Sequence, residues 1–230
     1  MRSSKRATLD KDPRDVAAMF DQVAARYDVT NLAFTGGMER LWRRLTVQAL
    51  RVEPGDRILD VAAGTAVSTV SLQRAGATAV GVDFSLGMLR AAKQPLPLVA
   101  GDALRLPFAD EAFDAVTISF GLRNVVDTGA ALTELARVTR PGGRLVVCET
   151  SRPAKGIPRA GHALWVTRGV PLLGRLFSSD SPAYAYLAES ALAWPSPEDL
   201  SRVIALHGWT RVQWRPLSLG AVALHRAQKH

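Results

Sequence analysis

Cysteine is close to absent from this 230-residue chain: Cys148 is the only one. That excludes an internal disulfide and a cysteine-built metal cluster. Lysine is also scarce, with 5 residues against 24 arginines. No apolar run reaches the roughly 18 residues that a membrane span requires. Residues 1–10 are basic and polar and lack an apolar stretch, so no signal peptide is expected and the cytoplasm is the expected compartment. The turn at 62–66 holds one glycine, whereas a dinucleotide fingerprint needs three. No internal repeat or low-complexity tract occurs. No N/D-P-P-Y/F run is present, and aromatics do not alternate with basic residues as a nucleic-acid stacking platform requires. No nucleic-acid partner is expected.

What is present is globular: 47% hydrophobic residues, enough chain for one large core, and a net charge of +8. The charge has two readings, arginine-rich usage or attraction to an anionic partner. Residues 1–11 read as a mobile basic arm. Asp12-Pro13 starts a helix, with Asp as N-cap and Pro in the first turn. Val16, Phe20, Val23 and Tyr27 follow at helical spacing as one apolar stripe. Gly36-Gly37 breaks the chain, and a second helix is expected over 38–50 with Leu41, Leu45 and Leu50 available for burial. Strands are then expected at 57–62, 79–83, 97–100, 112–120 and 144–150. Helices are expected at 65–75, 86–93 and 127–139, and Pro141-Gly142-Gly143 as a turn. This alternation predicts an α/β fold with a mostly parallel sheet covered on both faces. Five prolines interrupt 151–195. Ser196-Pro197 opens another helix, and 210–216 with 221–225 read as a terminal antiparallel hairpin.

The sequence R-I-L-D-V-A-A-G-T-A-V at 57–67 reads as a buried strand entering a tight turn and a helix. Ligands of open α/β sheets bind at the carboxyl ends of strands. Small residues there let a backbone approach a ligand, and the turn's amides with the helix N-terminus favour a carboxylate or phosphate. Ordinary strand–helix packing would give the same pattern. An amino-acid carboxylate fits the turn as well as or better than a dinucleotide. Asp83 ends the next strand, 23 residues after Asp60, where a carboxylate can accept both hydroxyls of a ribose; the alternative is a cap for the helix that Ser85 opens. Asp102, after the third strand, could take an adenine amino group or be a plain loop acid. Ser119 closes the fourth strand.

The order strand–Asp–small turn, strand–Asp, Gly-Asp-Ala, L-P-F-A-D-E-A-F-D (106–114) and R-V-T-R-P-G-G-R-L (137–145) resembles a class I S-adenosylmethionine-dependent methyltransferase. More narrowly, V-T-I-S-F-G-L-R-N-V (116–125), Y-D-V-T-N-L-A-F-T-G-G-M-E-R-L-W (27–42), Y-L-A-E-S (186–190) and G-A-V-A-L-H-R (220–226) resemble the UbiE/MenG family of quinone C-methyltransferases. The likeness runs from about residue 15 to the end. It implies a Rossmann-like methyltransferase domain over 51–230, with a helical insertion at 151–195 and a helical extension or lid over 1–50. It implies S-adenosylmethionine as cofactor, held by Thr65, Asp83, Asp102, Ala103 and Ser119, with Asp60 and Gly64 shaping the same pocket. The turn departs from the commoner G-G-T-G-D, reading A-G-T-A-V with Val67 in place of the acid. Glu39 stands where a His is common and Thr30 where a Met is common, wording that resembles the menaquinone-only branch.

The implied reaction is methylation of a ring carbon of a prenylated quinol, demethylmenaquinol first, with a benzoquinol or another small lipophilic acceptor as alternatives. Arg123 is expected to face the quinol oxygen, Asn124 to anchor it by a hydrogen bond, and Tyr27 to contact it from the lid. An ion pair of Arg123 with a loop acid such as Asp127 is the structural alternative. No general base is evident; His162, His207 and His225 are each expected to be structural. Residues 151–179 carry Arg152, Lys155, Arg159, Arg168 and Arg175 without an acid, interleaved with Trp165, Leu172, Leu173, Leu176 and Phe177. This suits contact with an anionic membrane at its inner face. A substrate lid or a homodimer contact would use the same residues.

Overall fold

The structure, a computed structural model, describes residues 7–151 and 181–230. Three helices precede the sheet. Helix α1 (Pro13–Val23) starts as its residues dictate: Asp12 accepts a hydrogen bond from the Arg14 amide, and Pro13 occupies the first turn. The expected single stripe is divided. A 3₁₀ turn, Ala24–Arg26, ends α1, and Tyr27 opens a separate helix α2 (Tyr27–Thr35). Gly36 and Gly37 both have left-handed φ, which stops α2 and starts helix α3 (Met38–Leu50). Leu50 is fully buried, but Leu41 is 46% exposed, contrary to expectation. The basic arm is also packed at its end. Ala7 is buried, and Lys11 donates to the Val125 carbonyl at 3.1 Å and lies over the Trp194 ring.

The sheet is built from β1 (Arg57–Val61), β2 (Thr78–Asp83), β3 (Leu98–Ala100), β4 (Phe113–Ser119), β5 (Thr139–Thr150), β6 (Trp209–Leu217) and β7 (Val222–Lys229). Its order is β3-β2-β1-β4-β5-β7-β6. The first five strands are parallel, while β7 runs antiparallel between β5 and β6. Helices α4 (Val67–Arg74), α5 (Leu86–Arg90) and α6 (Thr128–Val138) are the crossovers. This is a Rossmann-like methyltransferase fold with the expected terminal hairpin. Strand β5 begins earlier than expected. Thr139 pairs with Phe113, and a register shift between Phe113 and Ala115 absorbs Pro141-Gly142-Gly143 within the strand.

Alternation along β1 sorts the core into two layers. Leu59 and Val61 pack with Leu132 and Leu135 of α6 and with Trp209. Ile58 packs on the other face with Leu50 of α3 and Leu72 of α4. Fully burying each such leucine contributes about 1.5–3 kcal/mol. The same period of two puts Asp60 on the α3/α4 face, at the strand's carboxyl end. Arg137 of α6 fastens the loop after β3 by donating to the Leu106 and Phe108 carbonyls and to Asp110.

Two further helices, α7 (Ser181–Ala193) and α8 (Pro197–Leu206), lead into the hairpin. Ser196 caps α8 through the Asp199 amide, as its sequence predicts. His207 and His225 bond the Val203 and Pro197 carbonyls and are structural. His162 and the basic-apolar segment 151–179, apart from Ser151, lie outside the described residues. No helix among the described residues is long and apolar enough to cross a membrane.

Candidate functional site

The turn after β1 is compact because Ala62, Gly64 and Ala66 all take left-handed φ, at 54°, 58° and 63°. Such conformations cost energy at alanine, and small side chains keep that cost low. The turn's amides are largely spent. Ala63 donates to the Val82 carbonyl, Ala66 to the Ala63 carbonyl, and Gly64 to Asp83 Oδ2 at 2.7 Å. The expected anion cradle is therefore reduced to Thr65 and the first amides of α4, which has no side-chain cap.

Two clefts flank this turn at the carboxyl edge of the sheet. The first is lined by Gly64, Asp83, Asp102, Ala103, Ser119, Asn124 and Tyr27, all anticipated from sequence. Lys11, just before α1, and Phe20 of α1 also line it. Asp83 also accepts from the Ser85 amide at 2.8 Å. Burial raises its pKa against these backbone bonds. Asp102 accepts from the Leu104 amide at 2.9 Å, which shapes its loop. Asn124 Nδ2 donates to the Phe120 carbonyl at 3.4 Å, and its Oδ1 is buried without a partner.

The second cleft lies between α2, α3 and α4. Asp60 and Thr65 line it rather than the first, and Tyr27, Ala62, Gly64, Ser119 and Phe120 border both. Asp60 is 1% exposed and accepts from Thr69 Oγ1 at 2.7 Å. Burial pushes its pKa up to about 7. Cys148 lies at the bottom, and burial pushes its thiol up to about 12, so no thiolate nucleophile forms there.

Arg123 borders neither cleft. It sits in a 3₁₀ turn after β4, 7% exposed, and its Nη1 donates to Glu149 Oε1 at 2.6 Å and to the Phe120 carbonyl at 2.8 Å. The expected structural partner was Asp127; the observed one is Glu149 on β5. Asp127 instead caps α6. Arg123 thus supports the cleft wall from behind, fixing Phe120 in its left-handed conformation (φ 55°).

Sequence reading missed the acids that tie the prelude to the site. Asp21 accepts from Ser85 Oγ and the Gly87 amide, and Asp28 accepts from Thr65 Oγ1 at 2.6 Å. Asp28 stands beside the singled-out Tyr27, yet nothing in a helical stripe says which loop a polar neighbour meets. Among the described residues no cluster of histidine, cysteine and acid could hold a metal.

Solved structures of the same fold include a methyltransferase of Thermotoga maritima, 21% identical, with a TM-score of 0.66, covering 93% of this chain and 99% of that one. They also include the [4+2]-cyclase SpnF, 18% identical with a TM-score of 0.63, covering 94% and 96%. A cyclase among them shows that the fold alone does not fix the chemistry. Sequence relatives are far closer. A demethylmenaquinone methyltransferase of Mycobacterium marinum is 57% identical over 225 residues, 97% of each chain. One from a Mycobacterium sp. (strain KMS) is 58% identical over 97% of this chain and 98% of its own. The model of the ubiE/COQ5 methyltransferase family matches residues 7–229. With two clefts at the carboxyl edge of a methyltransferase sheet and a family match along nearly its whole length, the chain belongs to the ubiE/COQ5 methyltransferase family.

Proposed function

We infer that this protein methylates a ring carbon of demethylmenaquinol, a prenylated naphthoquinol, with S-adenosylmethionine as donor. The observation that carries the reading is 57–58% identity, along almost the full chain, to proteins named demethylmenaquinone methyltransferase. The donor set of the clefts fits that cofactor. Each Asp83 oxygen spends one lone pair on a backbone amide and keeps another for a ribose hydroxyl. Asp102 and Ala103 would hold the adenine, Ser119 and Gly64 would flank the sulfur side, and Asp60 and Thr65 would face the amino-acid arm. When bound, the cofactor supplies an electrophilic methyl group.

The chain's own residues then orient the acceptor and exclude water. Tyr27 and Phe120 form the wall between the clefts. Asn124 Oδ1, buried and unpartnered, accepts a phenolic hydroxyl. Transfer of that proton to solvent leaves a phenolate, which pushes electron density onto the ortho carbon. Lys11 lines the cleft, and Arg123, paired with Glu149, lies behind it. The Lys11 ammonium favours charge on the oxygen, while the charge of Arg123 is largely balanced by Glu149. Residues 1–50 act as a lid over the domain at 51–230. The basic-apolar segment 151–179 brings the enzyme to anionic membranes where a prenylated acceptor dissolves.

The test offers labelled S-adenosylmethionine with short-chain demethylmenaquinol and with the matching benzoquinol. Label is expected in the naphthoquinol. Preferential labelling of the benzoquinol would overturn the acceptor assignment.

A further inference from the structure

Arg43 is a cation without a partner in the second cleft. It sits on α3, half-buried, and lines the cleft together with Asp28, Asp60 and Thr65. Among the described residues no hydrogen bond or ion pair engages its guanidinium, although Glu39, Asp28 and Asp60 all act on it electrostatically. Those acids are held elsewhere: Glu39 by Thr35 and Arg40, Asp28 by Thr65 and Lys93, Asp60 by Thr69. Burial works against the charge on Arg43, so leaving it unpaired is costly. Beside it, α4 begins without a side-chain cap, and its first residues, Val67 and Ser68, line the same cleft. The amides of Ala63 and Gly64, by contrast, are already spent on Val82 and Asp83 of β2, and that of Ala66 on the Ala63 carbonyl.

We propose that Arg43 anchors the carboxylate of the cofactor's amino-acid arm, with the second cleft as a zwitterion subsite in which Asp60 faces the ammonium. The inference rests on the cofactor reading above. The nucleoside occupies the first cleft, and the arm crosses the turn between Gly64 and Ser119, which border both. An arginine fork suits a carboxylate in two-point contact, and the uncapped helix start adds a second favourable field. The signal in the sequence was R-L-W-R-R at 40–44, where the expected helix named Leu41 and Leu45 for burial and gave the arginines no role.

The experiment compares two ligands by calorimetry. S-adenosylhomocysteine carries the amino-acid arm; 5′-methylthioadenosine keeps the nucleoside and sulfur and lacks it. Arg43→Met is expected to bind S-adenosylhomocysteine about 10–100-fold more weakly, the range for a lost charge-assisted bond, and methylthioadenosine as the unaltered protein does. Arg43→Lys should recover part of the loss. Equal weakening toward both ligands, or none, overturns the subsite. If the unaltered protein binds neither ligand, the cofactor reading itself fails.

Discussion

Asp28 Oδ1 accepts a 2.6 Å hydrogen bond from Thr65 Oγ1, joining the second helix of the prelude to the turn after the first strand. Asp21 makes the matching link from α1 to the start of α5. The helices that cover the site are therefore latched to the loops that form it. The exposed Lys93–Asp28 pair adds little. Replacing Asp28 with Ala should weaken closure by about 1 kcal/mol. Hydrogen exchange should rise in α2 while β1 and β4 keep their protection. Unchanged exchange in α2 would mean that packing alone holds this helix in place.

Arg123 and Glu149 form the buried ion pair of the site, 8% and 0% exposed at their side chains. Removing one partner strands the other charge. Arg123→Ala is expected to lose about 3–5 kcal/mol of stability, which would confuse any reading of its turnover. The double variant Arg123→Met, Glu149→Met removes both charges and should recover much of that loss in denaturant melts. If Arg123 stabilises the acceptor oxygen, the double variant stays slow while binding S-adenosylhomocysteine normally. Full turnover in the double variant would reduce the pair to scaffolding.

Asp83 should behave in the opposite way to Arg43. The proposed cofactor site gives it the nucleoside, so Asp83→Ala should weaken S-adenosylhomocysteine and methylthioadenosine alike, by about 10-fold or more. The variant also frees the Gly64 and Ser85 amides that the carboxylate now holds. Selective loss of the arm-bearing ligand would reverse the assignment of the two clefts.

Asp60 gives the site a pH dependence. Its pKa rises from 3.8 to about 7 through burial. The folded protein therefore binds more protons than the unfolded chain between those values, and this group's stability falls as pH climbs from about 4 to about 7. Asp60→Asn removes the ionisation. The variant should be more stable than the unaltered protein near neutral pH, on the order of 4 kcal/mol, with the gap closing as the solution is acidified. An ammonium placed beside Asp60 would favour its ionised form. Binding of S-adenosylhomocysteine near neutral pH should then release a proton, seen as buffer-dependent heat, and methylthioadenosine should not.

Local chemistry was legible in the sequence where the deciding contacts are close along the chain. Asp12, Ser85 and Ser196 cap the helices they precede. The acids at strand ends stand at the carboxyl edge because the alternation of strands and helices puts them there. What escaped depends on contacts across the sheet or between layers. Glu149 lies 26 residues from Arg123 and meets it only because β5 pairs with β4. Pro141-Gly142-Gly143 reads as a turn until a register shift admits it to a strand. Thr65 reaches Asp28 across 37 residues, a pairing that spacing does not encode. Arg43 looks like one more surface arginine until the cleft beside it is seen.

The most direct measurement of the central claim is the mass and proton spectrum of the product formed from short-chain demethylmenaquinol and S-adenosylmethionine. The account predicts a gain of one methyl group, with the loss of one ring proton ortho to a hydroxyl. A product methylated on oxygen, or no transfer with S-adenosylhomocysteine still bound, would contradict it.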